Sequence, residues 1–126
     1  MIQLYKHQEK FVKEILQEFK KGNKHVVGQA ATGFGKTVIF SYIAKQTSSK
    51  NKKVLILTDR GELLAQAGGT IEGFDMNPSY IKAGTKFIDK GKSIYVAMSQ
   101  TLRNRMSDAS WRNFIDKEID LIIIDE

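Results

Sequence analysis

The sequence contains no cysteine and only one proline, Pro78. Without thiols there are no disulfides, no thiolate zinc sites and no cysteine nucleophile. Long apolar runs are missing too, so no stretch is suited to span a bilayer. The first twenty residues include Lys6, Glu9, Lys10, Lys13 and Glu14, which excludes a signal-peptide core there. These absences set the expectation of a protein of the reducing cytoplasm. Histidine is scarce, and His7 and His25 do not have metal-ligand spacing. Neither repeats nor low-complexity stretches are visible.

What remains is ordinary for a globular chain: 126 residues, 41% hydrophobic and 27% charged. One domain is expected, burying about two-thirds of its unfolded surface. Lys plus Arg is 20 and Asp plus Glu is 14, giving a net charge of +6. That balance points mildly toward a polyanionic partner, and equally toward a solvated lysine-rich surface. The basic residues read as spread along the chain, with no block standing out.

Hydrophobic periodicity organises the chain. Phe11, Val12, Ile15, Leu16 and Phe19 recur at helical spacing within 6–21, and Gly22 and Asn23 stop that helix. Short apolar strands then alternate with helices. Strands are expected at 25–29 (weak), 53–58, 79–82 (weak), 93–98 and 120–124. Helices are expected at 37–46, at 62–67 with Gly68 and Gly69 as its end, at 101–105 and at 110–116. Trp111 reads as helix–core packing. This alternation predicts an α/β fold, a parallel sheet with helices on both faces. The two most apolar strands are continuous runs, as a doubly covered sheet requires. Ligands of such sheets bind beyond the carboxyl ends of the strands.

Residues 30–37 read Ala-Ala-Thr-Gly-Phe-Gly-Lys-Thr, between an expected strand and an expected helix. Gly33 and Gly35 let the backbone curl so that successive N–H groups face an anion. The following helix N-terminus favours phosphate as well. Lys36 can reach outer phosphates, and the Thr37 hydroxyl can ligate Mg²⁺. Thr32, Gly33, Phe34, Gly35, Lys36 and Thr37 are therefore the candidate ATP-binding set, with Phe34 either facing the ligand or packing under the loop. Ala30 stands where the strict pattern has Gly. About ninety residues on, an apolar strand emerges in Asp125-Glu126. Asp125 would hold Mg²⁺ and Glu126 would activate the attacking water. Lys36, Asp125 and Glu126 are the catalytic candidates.

A-x-T-G-x-G-K-T followed by a strand ending in D-E resembles the superfamily-two helicases and translocases. Leu4-Tyr5-Lys6-His7-Gln8 is similar to their upstream L-R-x-[YH]-Q element, with Tyr5 in place of the Arg. The resemblance makes Gln8 a reader of the adenine edge. Leu57 to Gln66 is similar to motif Ia, which touches the nucleic-acid backbone. Val96 to Leu102 is similar to the S-x-Q-T-L element of the DExH branch, which includes restriction-enzyme motor subunits. Arg60, Gln66, Gln100 and Thr101 are thereby candidate contacts to nucleic acid, DNA or RNA with DNA ahead, and Arg60 is suited to a phosphate.

The resemblance implies a P-loop, RecA-like ATP-binding domain that hydrolyses ATP with Mg²⁺ to move on or unwind nucleic acid. It implies that residues 1–126 are the N-terminal part of the first such domain, cut after the D-E strand. A further strand, normally lying between the phosphate-loop strand and the D-E strand, and a second RecA-like domain would complete it. The fragment alone would then be inactive or very weak, with bare strand edges that invite self-association by strand swapping. Two alternatives stay open: a P-loop NTP-binding module without motor activity, and the motor subunit of a restriction endonuclease.

Overall fold

The computed structural model describes residues 3–29 and 35–125. The expected strand–helix alternation is present. Helix α1 (Lys6–Lys20) is followed by α2 (Lys36–Ser48), β1 (Val54–Thr58) and α3 (Gly61–Gly73). Then come β2 (Ser79–Ile81), β3 (Ile94–Met98), α4 (Ser99–Arg105), α5 (Ala109–Lys117) and β4 (Leu121–Ile124). The four strands form one parallel sheet in the order β2-β3-β1-β4. This is the α/β, helix-covered architecture that the apolar runs predict.

The period-2 alternation of each strand divides the core between two faces. Val54 and Ile56 of β1 and Ile94 and Val96 of β3 pack under α2 and α3, against Phe40, Ala44, Leu64, Ala67 and Ile71. Leu55, Tyr95 and Ala97 point the other way, onto Leu102, Trp111 and Phe114 of α4 and α5. Trp111 is thus core packing, as its helical setting predicts. A third cluster joins Val12 of α1 to Ile39 and Ile43 of α2, with Leu121 and Ile123 of β4 against it. Leu16, grouped with the apolar side of α1 by spacing, is instead exposed.

One end of the sheet is stitched shut. The Lys53 ammonium donates to the carbonyls of Lys90 and Lys92 at 2.7 and 2.8 Å. The Lys53 backbone N–H donates to the Asp120 carboxylate at 2.9 Å. Tyr95 is buried, and its hydroxyl donates toward the Asp89 and Lys92 carbonyls. Burial, with Asp89 and Glu118 nearby, pushes that phenol up to about 12. These bonds tie the amino ends of β1, β3 and β4 together and leave the carboxyl ends open.

Two expectations are corrected. Residues 25–29 form no strand, and Val27 is 95% exposed. The apolar content there is only Val26-Val27, and Gly28 lies so close to α1 that a Cβ would press on Phe11 and Ile15. That contact holds the segment against a helix instead of a sheet edge. Gly68 and Gly69 do not end α3, which runs through both to Gly73. Tertiary packing supports the helix where propensity does not: Tyr80 of β2 lies on Gly68, and its hydroxyl donates to Glu72 at 3.0 Å.

Candidate functional site

Because all strands are parallel, every loop after a strand leaves at the same edge. The register pairs Thr58 with Met98, Leu57 with Ile124, and Ile81 with Ala97. Asp125, Asp59-Arg60, Ser99-Gln100 and Lys82 therefore emerge side by side, in the order of the strands. The Asp125 N–H donates to the Leu57 carbonyl at 3.0 Å, which fixes the start of the Asp125 loop against β1.

Helix α2 brings its N-terminus to this edge. It starts at Lys36, which is exposed, and no acidic residue occupies its first turn. Its free N–H groups and dipole are therefore not offset by a side chain. Lys36 is close enough to Asp125 to act on its ionisation. Burial raises the Asp125 carboxyl above its ordinary range, the Lys36 ammonium pulls it down, and Asp59 raises it again. The sequence spacing thus brings Lys36 and Asp125 together. Asp59 was not singled out by sequence; its place at the end of a strand adjoining β4 is the signal that could have found it.

Gly35, the residue before α2, lies against α1. Its φ of +82° lies in the left-handed region that favours glycine. A Cβ there would collide with the Gln8 carboxamide nitrogen. Gln8 is buried, and its Oε1 accepts from the Tyr5 N–H at 2.9 Å. Tyr5 is exposed and stacks on His7, with ring centroids 5.8 Å apart. Gln8 and Gly35, twenty-seven positions apart in sequence, are thus neighbours at the start of α2. Thr37 follows in the first turn of α2, half-buried. Thr32, Gly33, Phe34 and Glu126 lie outside the described residues.

The other candidates spread along the same edge. Arg60 is exposed and caps α3, its carbonyl accepting from the Leu64 N–H at 3.1 Å. Gln100 is exposed and Thr101 half-buried in the first turn of α4. Ser99, also not singled out by sequence, donates its hydroxyl to the Thr58 carbonyl at 3.0 Å and locks the two loops together. Gln66 is exposed too, but sits about 8 Å down α3 from its N-terminus, so the structure does not group it with Arg60.

The residues fit a magnesium nucleotide. Mg²⁺ is usually held by one or two carboxylates together with phosphate oxygens and water. Asp125 supplies a carboxylate whose charged form is disfavoured by burial, so a cation would relieve it. Among the described residues no group of three or more His, Asp or Glu could hold a metal without such phosphate ligands. No described helix is long and apolar enough to cross a membrane.

Three comparisons bear on this arrangement. A protein of Saccharomyces cerevisiae named as an ATP-dependent helicase, IRC3, is 32% identical over 129 residues, covering 95% of this chain and 18% of its own length. A solved structure of a nuclease-deletion mutant of the Type ISP restriction-modification enzyme LlaGI, with a DNA substrate mimic, superposes with a TM-score of 0.57. It is 22% identical, over 98% of this chain and 12% of the enzyme, and shares the fold. The chain therefore spans less than a fifth of either relative. Residues 1–126 match the family described as Type III restriction enzyme, res subunit, and the chain belongs to that family.

Proposed function

We propose that this chain is the nucleotide-binding part of an ATP-dependent helicase or translocase, the N-terminal part of the first of two RecA-like domains. The observation that carries the reading is the meeting of Lys36, Asp125 and the Gln8–Gly35 contact at the open end of the sheet. In this reading the loop amides and Lys36 hold the phosphates of ATP, with Thr32, Gly33 and Phe34 in the loop. Thr37 and Asp125 hold Mg²⁺, and Gln8 meets the adenine edge. Bound Mg²⁺ supplies charge neutralisation at the phosphates. Glu126, next to Asp125 in sequence, orients the attacking water.

Arg60, Gln100 and Thr101 contact the nucleic-acid backbone, while Gln66, set back along α3, stands outside that row. Contacts of this kind position a strand without reading its sequence, as a motor requires. DNA is the preferred substrate in this reading, supported by the DNA mimic held by the LlaGI relative. The restriction-endonuclease motor is the form of the function nearest to the family description. A cysteine-free chain suits a reducing compartment, so the cytoplasm goes with this reading. Self-association through the free edge of β4 also belongs to it.

Calorimetric titration with Mg-ADP tests the nucleotide half. Binding should be measurable in the wild type and lost in Lys36→Ala. Equal binding by both would overturn the assignment of the loop. Arg60→Ala should do the converse, weakening nucleic-acid binding while leaving Mg-ADP binding intact.

A further inference from the structure

Segment 82–92, between β2 and β3, has four lysines and one aspartate, a net +3. Half of the chain's excess of +6 thus falls in eleven residues, a local block that the overall spread of charge conceals. Lys90 is paired with Glu118 at 3.5 Å. Lys82 and Lys86 are exposed and have no acidic partner among the described residues.

Between them lies a braced turn. The Thr85 N–H donates to the Lys82 carbonyl at 2.9 Å, and the Lys82 N–H donates back to the Thr85 hydroxyl at 3.2 Å. Gly84, at φ +93°, makes the reversal. The Arg105 guanidinium donates twice to the Thr85 carbonyl, at 3.2 and 2.8 Å. Three residues on, Ile88 packs against the core of α4 and α5. The backbone is thus anchored on both sides of Phe87, and Phe87 itself is 86% exposed. Anchoring the backbone at Thr85 and Ile88 lowers the backbone entropy lost on presenting that ring.

The turn leaves β2 at the same edge as Arg60 and Gln100, at the opposite end of the row from Asp125. With strands about 4.8 Å apart, Lys82 at the start of the turn lies two strands, roughly 10 Å, along the row from the residue after β1. Two unpaired lysines just ahead of an exposed aromatic match the chemistry of single-strand binding, in which cations follow phosphates and rings stack on bases. A paired base has no free face to offer.

We propose that the turn 82–87 is a nucleic-acid contact in which Phe87 stacks on an unpaired base while Lys82 and Lys86 meet the flanking phosphates, so that the strand engaged is single. The proposal rests on the nucleic-acid reading above and adds strandedness to it.

Fluorescence anisotropy of a labelled oligothymidylate, against a blunt duplex of equal length, tests it. Single strand should bind more tightly than duplex. Phe87→Ala should weaken single-strand binding about fivefold or more with an unchanged salt slope. Lys82→Ala with Lys86→Ala should lower that slope by about 1.4, roughly 0.7 for each phosphate no longer neutralised. Phe87→Trp should retain affinity and lose emission on binding, over the constant background of buried Trp111. If Arg60→Ala weakens binding and Phe87→Ala does not, the turn is not a contact, although the motor reading stands. If neither substitution changes binding, both fall.

Discussion

At the residue scale, Asp125 joins stability to the proposed function. Burial holds its carboxyl above the ordinary range, so its ionised form costs the folded state at neutral pH. The sign follows from linkage: the folded state binds this proton more tightly than the unfolded chain, so acidification toward the unfolded value of about 3.9 relieves the cost. Asp125→Asn removes the charge and is expected to raise the urea midpoint at pH 7. The gap to the wild type should narrow as the pH falls. The same substitution should abolish the Mg²⁺ dependence of nucleotide binding. A variant less stable than wild type at pH 7 would mean that attraction to Lys36 outweighs burial. Legibility at this scale was uneven. Lys36 and Asp125 were readable because motif spacing marks them. Asp59 and Ser99 were not, because their roles arise from strands adjacent in space: Asp59 acts on Asp125, and Ser99 reaches Thr58.

At the scale of elements, apolar periodicity located α1, β1, β3, α5 and β4 to within one or two residues. It failed where long-range packing decides. The pair of glycines in α3 reads locally as a helix end, since each costs about 1 kcal/mol relative to Ala in a helix interior. The structure keeps Gly68 because Tyr80 occupies the space that a Cβ would need. Gly68→Ala should therefore destabilise the protein, despite the better helix propensity of alanine, by about 1–3 kcal/mol of overpacking. Tyr80→Ala alone loses the ring and its bond to Glu72. The double variant should recover part of the Gly68→Ala loss, because the clash is gone and the propensity gain remains. A double-mutant cycle in chemical denaturation measures that coupling, and simple additivity would show that the two sites do not meet. Segment 25–29 failed for the converse reason: its strand pattern is weak, and contact with α1 outcompetes pairing.

At the scale of the whole molecule, the sheet is unequally protected. Tyr80 of β2, at one border, packs across α3. β4, at the other border, has no strand on its outer side among the described residues. Its sequence, Leu-Ile-Ile-Ile, carries no charge, and the side chains of Ile122 and Ile124 are 46% and 64% exposed. Leu121 and Ile123 of the same strand are covered by α1 and α2, so only one face of β4 is finished. A free, flat, apolar edge is a template for another strand, and native proteins usually blunt such edges with charge or proline. Ile124→Lys supplies that charge on the exposed face without touching the α1–α2 side. Sedimentation velocity over a concentration series should show the wild type shifting to larger species and Ile124→Lys remaining a monomer. Raising the salt concentration should not dissolve the association, because its contacts are apolar and backbone in kind. A wild type that sediments as a monomer at every concentration would mean that the edge is too short, at four residues, to hold a partner.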